Sequence, residues 1–493
     1  MAARLIIGRH SAIAKFFANC PSREDQNLNG RSAAVSAFSV TMKAPEPQAE
    51  MEDQNLAESR DVSVEATTKP RPQMPEKLTW CDAFMFTCVI FNVRFFGSWA
   101  AFSYYSMWTD PTTSPTYHNI PIIAWIMIAQ QLGVVVGSVP SFYFIRKPLS
   151  RNTSMISFIV CYMWIILVPT AVFTSQVPVL QFIFLGLGSL PYVYTVGLLI
   201  SFTEGRTKSE EFAAVFLNGS RSGAMVGTAL GFGFQGVVGN YEVPVVVASV
   251  SIVQALLCVV GLYMFPSLTK EDLELRGPRD RGSPDTCRFF GNFWFQLSVI
   301  ILAIAVCRAW MAFRVAYFYA ICFDFLGYTT SYLYSFLLTI TNIIGVVVAS
   351  LRLRFIADHV DAYHESMVLA LISFGLLAIF NGVYFAGLPG FAWLALSEFF
   401  VGFASMCVYC MLERLIAGTK SNVSMVNYYM PGEIFAAVLG IAMFAAVTAS
   451  SDYYDTFYAG TACAGFGTAA GFLLIMVLLY RRKKSAMASC SPH

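Results

Sequence analysis

The sequence predicts an all-α integral membrane protein, a bundle of twelve transmembrane helices in two six-helix halves related by a pseudo-two-fold repeat. Three observations predict it. Of 493 residues, 56% are hydrophobic and only 13% charged, with a mean hydropathy of +0.59, whereas charge alone is near a quarter of a soluble domain. From Leu78 onward the chain divides into twelve apolar runs, each long enough to cross a ~30 Å hydrocarbon core at ~1.5 Å per residue. Finally, "GVVVGSVPSFYFIRK" from Gly133 aligns with "GVVVASLRLRFIADH" from Gly345, an offset of 212 residues. The runs lack the period-two alternation of barrel strands, and open sheet edges cannot face lipid, so helices are the remaining solution.

Residues 1–77 form the first segment, a tail rich in Ser, Ala, Gln, Glu and Lys whose "TTKPRPQMPEK" carries three prolines in eleven residues. Such a composition cannot bury a core, so the tail is predicted to be disordered and cytoplasmic. Its start, with Arg4, Arg9 and Lys15 before the first acid at Glu24, also has the pattern of an organelle transit peptide, the competing reading. The spans follow at approximately 79–107, 119–145, 152–174, 177–203, 209–237 and 243–265, then 292–321, 329–356, 364–386, 390–415, 423–449 and 457–480. This divides the chain into a first half at 78–266, a charged central loop at 267–291, a second half at 292–481 and a C-terminal tail at 482–493.

Lys and Arg test the segmentation independently. Loops and span ends after even-numbered spans, with the closing "RRKK", hold eighteen of them. Loops after odd-numbered spans, such as "TDPTTSPTYHN" and "ASSDYYDTFY", hold none. The positive-inside rule therefore puts both termini in the cytoplasm or its topological equivalent. The sequons at Asn152 and Asn422 then face the cytoplasm and Asn218 lies within a span, so glycosylation is not expected.

Several functional classes are excluded. A net charge of +2 gives no phosphate-neutralising surface, so no nucleic-acid partner is expected. All five His lie in tails, in loops or at the very end of a span, there is no GxxxxGK[ST], and "CVYC" at Cys407–Cys410 comes with no further ligands. No catalytic residue, metal site or cofactor is therefore assigned, and the chain is not read as an enzyme.

The ends of the second and eighth spans, "GSVPSFYFIRKPLSRN" and "ASLRLRFIADHV", are placed like the helix 2–3 and 8–9 signature of the major facilitator superfamily, which residues 78–481 resemble. In the first copy Ser141 stands at the signature's acidic position and Arg146, Lys147 and Arg151 persist; the second keeps Arg352, Arg354 and Asp358. "FLGLGSLPYVYTVGLLISFTEGRTKSEEFAAVFLNGSRSGAMVGTALGFGF" is similar to that family's fourth helix, basic loop and glycine-rich fifth helix. The resemblance implies a secondary transporter working by alternating access around a midplane site, here a monomeric carrier of a small molecule within the lipid bilayer.

Ionisable groups at membrane depth cost about 2.5–3.5 kcal/mol even on the lenient insertion scale, so those present are candidates for function. Arg94 and Arg308 occupy nearly equivalent repeat positions, each followed by an aromatic run, the first of which holds Tyr104 and Tyr105. In the resembled family the first and seventh helices line the cavity. The pair would then clamp an anion, for which the forked, permanently charged guanidinium is suited. Arg314, Gln131 and Asn342 complete the expected substrate-binding set, against the alternative that each merely ties helices together. The 212 offset carries Arg221 onto Glu433, a basic and an acidic group suited to a gate or to a fixed structural pair. Glu398 and Glu433 are the candidate carboxylates for proton coupling, which would make the carrier a symporter. Gly219, Gly223, Gly227 and Gly231 recur every fourth residue and predict a helix-packing stripe.

The expected solute is an organic anion or an amino acid. The alternatives are a carrier of a nucleoside or another neutral solute, equilibrative- or battenin-like, and a non-transporting receptor or structural subunit with the same fold.

Overall fold

The computed structural model describes residues 116–117, 120–145, 151–170, 178–203, 284–326, 328–354, 356, 359–385, 391–419, 423–449 and 453–489, with residues 216–219 and positions 223, 253, 256, 260 and 263. The tail, the first span and most of the fifth and sixth spans lie outside the described residues.

A two-residue ladder precedes the first described helix, β1 at Thr116–Tyr117 pairing antiparallel with β2 at Ile120–Pro121. β1 falls in the loop after the first predicted span, and β2 occupies the start of the second, which was expected to be helical from about residue 119. Among the described residues ten helices can be given bounds: α1 Ile122–Ile145, α2 Arg151–Thr170, α3 Pro178–Gly188, α4 Tyr192–Thr203, α5 Pro284–Leu326, α6 Tyr328–Arg354, α7 His359–Phe385, α8 Phe391–Gly418, α9 Val426–Ala449 and α10 Tyr453–Ser489. Eight apolar segments among the described residues are long enough to cross a bilayer, and Leu337–Leu353 is a shorter ninth. The chain is therefore an integral multi-pass membrane protein. Large apolar side chains such as Val139, Tyr143, Ile156, Val160 and Phe435 stand exposed on the outside of the bundle, as lipid contact requires.

Three boundaries differ from expectation, each for a local reason. The fourth span is two helices, α3 and α4, broken by a turn at Ser189–Pro191. Proline has no N–H for the helical ladder and clashes with the carbonyl four residues back, and here Ser189 and Leu190 donate instead to the carbonyls of Gly186 and Leu187 at 3.1 and 3.2 Å. The Leu187 carbonyl also accepts from Trp164 Nε1 of α2 at 2.8 Å. The seventh span begins at Pro284, inside the predicted central loop, because Pro at the first position and Asp285 in the first turn both favour a helix start. A continuous helix of 43 residues would run ~64 Å, twice the hydrocarbon thickness. It is interrupted at Phe293 (φ −121°, ψ 22°), which separates a short lead-in from the span. Helix α10 runs past the membrane segment to Ser489, carrying the basic "RRKK" that was expected in the tail.

The lead-in docks on the start of α9. The Tyr428 hydroxyl donates to the Thr286 carbonyl at 3.0 Å, Asn427 Nδ2 donates to Thr286 Oγ1 at 3.3 Å, and the Phe289 and Tyr428 rings lie 5.6 Å apart.

The repeat is visible in the packing. A Cβ on Gly133 of α1 would fall 2.0 Å from the Gly186 carbonyl oxygen of α3, and one on Gly345 of α6 would fall 2.1 Å from the Phe399 carbonyl oxygen of α8. These glycines are the ones aligned by the 212 offset. Each permits the same backbone-to-backbone crossing, of the second span on the fourth and of the eighth on the tenth. Elsewhere α8 also packs on α7 and α7 on α10, while α5 lies against α9. The halves meet where α9 packs on α1 and α4: Gly197 of α4 faces Met430 and Val426, and Gly440 of α9 faces Gln131.

Candidate functional site

Helix α5 carries Arg308 and Trp310 two residues apart, a spacing that sends helical side chains toward different neighbours. Arg308 turns to α9 and Trp310 to α8. Two polar clusters result, one on each side of the same helix.

In the first, Arg308 Nε lies 2.7 Å from Glu433 Oε1, with the two side chains 12% and 3% exposed. The guanidinium N–H is not aimed along that line, so Oε1 accepts no directed hydrogen bond there and the contact is an ion pair by proximity. Arg308 Nη2 donates to the Tyr429 hydroxyl at 3.3 Å. Tyr429 and Glu433 are four residues apart on α9 and therefore share a face. The adjacent Gly432 lets that face approach: a Cβ there would stand 2.6 Å from Ile304 Cγ2, one turn before Arg308 on α5. Tyr192, the first residue of α4 after the break in the fourth span, lies within electrostatic reach of both Arg308 and Tyr429. The cluster thus joins two helices of the second half to one of the first.

In the second cluster the Glu398 carboxylate, 1% exposed, accepts from Trp310 Nε1 at 2.9 Å on Oε1 and from Asn342 Nδ2 at 2.9 Å on Oε2. Asn342 Nδ2 also donates to the Glu398 carbonyl at 2.9 Å. With two acceptors facing the nitrogen, the amide orientation is determined, and its buried Oδ1 has no donor among the described residues. Asn is a short side chain, and it reaches because α6 and α8 are pressed together. A Cβ on Gly402 would meet the Asn342 carbonyl oxygen at 2.1 Å, just as one on Gly345 would meet that of Phe399.

The contribution of the Trp310 bond to Glu398 can be tested. Removing a hydrogen bond to a charged acceptor costs about 1.5–3 kcal/mol, whereas interhelical side-chain bonds in membranes average about 0.6 kcal/mol. Trp310→Phe, followed by chemical denaturation of the purified protein, is expected to give the larger loss. A loss near the smaller figure would mean that the Trp310 bond contributes no more than an ordinary interhelical one.

The sequence-derived candidates distribute as follows. Arg308, Glu433, Glu398 and Asn342 fall into the two clusters. Gln131 is half-buried on α1 at the contact with α9. Arg314 lies farther along α5, with its side chain outside the described residues, as are Arg94, Tyr104, Tyr105, Arg221, Gly227 and Gly231 altogether. Gly219 and Gly223 are helical. The repeat had set Arg221 against Glu433, but among the described residues the cation beside Glu433 is Arg308. Arg308, expected to face an anionic solute, already has a carboxylate beside it. Trp310 and Tyr429 were not singled out from sequence. Their signals were an indole two residues from a membrane arginine, and a phenol one turn before a membrane glutamate.

A family model described as a family of unknown function (DUF5690) matches residues 113–484. No curated protein matches the chain in sequence. Among solved structures, the proton:xylose symporter XylE bound to 6-bromo-6-deoxy-D-glucose is similar with a TM-score of 0.58 at 12% identity, over 79% of this chain and 94% of that one. A D-xylose-proton symporter gives 0.56 at 13%, over 80% and 97%. The nucleoside transporter NupG gives 0.52 at 12%, over 80% and 99%. At such identities the similarity is one of fold, and the fold is that of the major facilitator superfamily.

Proposed function

The chain belongs to the DUF5690 family of unknown function, and from the geometry of its two clusters we propose that it is a secondary transporter of a small polar solute. The observation that carries this reading is the Arg308–Glu433 pair, buried at membrane depth with Tyr192 of the other half in reach. A buried ion pair is expensive relative to apolar packing of the same volume, and this one lies where the two halves meet. That is where an alternating-access carrier holds its solute. The preferred solute is an organic anion or an amino acid, taken by Arg308 together with Arg94. Glu398 is the candidate proton carrier of a symport cycle, with Trp310 and Asn342 positioning its carboxylate. Arg314, Tyr104, Tyr105 and Gln131 remain proposed members of the solute pathway, and Arg221 a proposed gating residue. Both termini are assigned to the cytoplasmic side on the distribution of Lys and Arg.

A second reading, a neutral solute, has one observation in its favour. Among the described residues Arg308 and Glu433 cancel, so the cluster they form carries no net charge to attract a simple anion.

The test is solute flux into liposomes containing the purified full-length chain. Uptake of an accepted solute is expected to fall at least tenfold in Arg308→Ala and in Arg94→Ala, each checked for folding. Normal transport by both variants would remove the basis of the proposal.

A further inference from the structure

We propose that the Arg308–Glu433 pair is a receptor for a zwitterion, so that the solute is an α-amino acid and not a simple carboxylate. This rests on the reading of the chain as a carrier and narrows it.

The argument begins with what the pair leaves unsatisfied. Glu433 Oε1 has a positive group 2.7 Å away and accepts no directed hydrogen bond from it. Arg308 directs Nη2 to a phenol at 3.3 Å, a long and neutral contact for a group that prefers a carboxylate fork. The two charges neutralise one another without satisfying one another's hydrogen-bonding geometry. A solute that enters between them must replace what each loses.

Solute classes differ in how well they do so. A carboxylate alone would take the Arg308 fork and leave Glu433, 3% exposed, with no other cation beside it among the described residues, which is costly at membrane depth. A cation alone would do the reverse. A neutral polyol can donate to Glu433 but returns no negative charge to the guanidinium. An α-amino acid answers both: its carboxylate accepts from Arg308, its ammonium donates to Glu433 Oε1, and the net charge of the cluster is unchanged. Its two charged groups are attached to one carbon, so they are spaced about as closely as those of the pair they would separate. Tyr429 borders the pair with its hydroxyl and Tyr192 lies within electrostatic reach, so polar groups are available to the solute's remaining edge.

The pairing predicts a specificity switch. Thermal stability of the purified full-length protein would be measured with glycine, L-alanine, L-leucine and L-phenylalanine, and with their des-amino counterparts acetate, propionate, 4-methylpentanoate and 3-phenylpropionate. Ligands that bind the native state raise the melting temperature. The wild-type protein is expected to be stabilised by at least one amino acid and by none of the carboxylates. Glu433→Gln leaves Arg308 unmatched, so it should lose the amino acid response and bind the matching carboxylate at least tenfold more tightly than wild type does. Should Glu433→Gln not fold, Glu433→Asp keeps the charge. It should then weaken the amino acid response without gaining the carboxylate one.

Stabilisation of the wild type by carboxylates and amino acids alike, or silence of all four amino acids, would overturn the assignment. D-xylose and uridine are included as neutral probes: a response to either with the amino acids silent overturns the zwitterion while leaving the carrier reading intact. Conversely, an amino acid that stabilises the protein yet shows no counterflow in liposomes upholds the receptor site and removes the carrier reading.

Discussion

Arg308→Ala is expected to destabilise the protein by about 3–5 kcal/mol, because it strands the Glu433 carboxylate in a place with little access to water. The double variant Arg308→Ala/Glu433→Ala should be less damaged than Arg308→Ala alone, since it removes the second charge as well. The coupling read from such a cycle measures the interaction itself, separate from what either side chain contributes by packing. Denaturant midpoints of the purified single and double variants would supply the numbers. A double variant that loses as much as the sum of the singles would mean that the 2.7 Å contact does not couple the two residues energetically. Function should respond differently from stability: the double variant is expected to fold better than Arg308→Ala and still transport nothing.

The second large effect is steric. Gly345→Ala places a methyl carbon 2.1 Å from the Phe399 carbonyl oxygen, and Gly133→Ala places one 2.0 Å from that of Gly186. Backbone carbonyls cannot swing aside, so the crossing helices must separate by about an ångström, and overpacking of this kind costs about 1–3 kcal/mol. At Gly345 a second loss is added. Separating α6 from α8 stretches the bonds from Asn342 to the Glu398 carboxylate and carbonyl, which are 2.9 Å each. Gly345→Ala should therefore be the more harmful, although the two clashes are nearly equal. Gly440→Ala is the control. Its nearest neighbour, Gln131 Cγ, is at 3.5 Å, an ordinary contact, and the melting temperature should hardly move. Equal losses at Gly133 and Gly345 would show that the Asn342 bonds contribute nothing.

Much of the fold was legible because the membrane restricts the solutions: long apolar runs must be helices. The repeat was legible for a different reason. Gly133 and Gly345 are held by backbone contacts that tolerate no side chain, so the glycines remain at equivalent positions where the surrounding sequence differs. The site was legible only in part. Arginines and glutamates at membrane depth stand out by their cost, which is how Arg308, Glu433 and Glu398 were found. Their partners do not stand out. The repeat alignment relates Arg221 to Glu433 by equivalent position, and Arg221 lies outside the described residues; the neighbour the structure shows beside Glu433, Arg308, comes from a different helix than the alignment points to. Trp310 and Tyr429 are apolar by composition and polar through a single atom, so no hydropathy pattern separates them from the aromatic residues around them. The break at Ser189–Pro191 was within reach of sequence reasoning, since a proline interior to a span is a warning. Yet Pro140 and Pro431 lie inside α1 and α9 without ending them, which shows why proline alone does not locate a break.

The docking of the α5 lead-in on α9 has a mechanical consequence. Helix α9 grips α5 twice, through Tyr428 at Thr286 and, from the very next residue onward, through Tyr429 and Glu433 at Arg308. Two clasps between the same partners prevent hinging about either one alone, so α5 and α9 should swing as a single lever. Its fulcrum would be the face of α9 against α1 and α4, where Gly197 and Gly440 leave the surface smooth. Pulling on the polypeptide that enters α5 would load that lever at its foot, five residues along α9 from the charge at its centre.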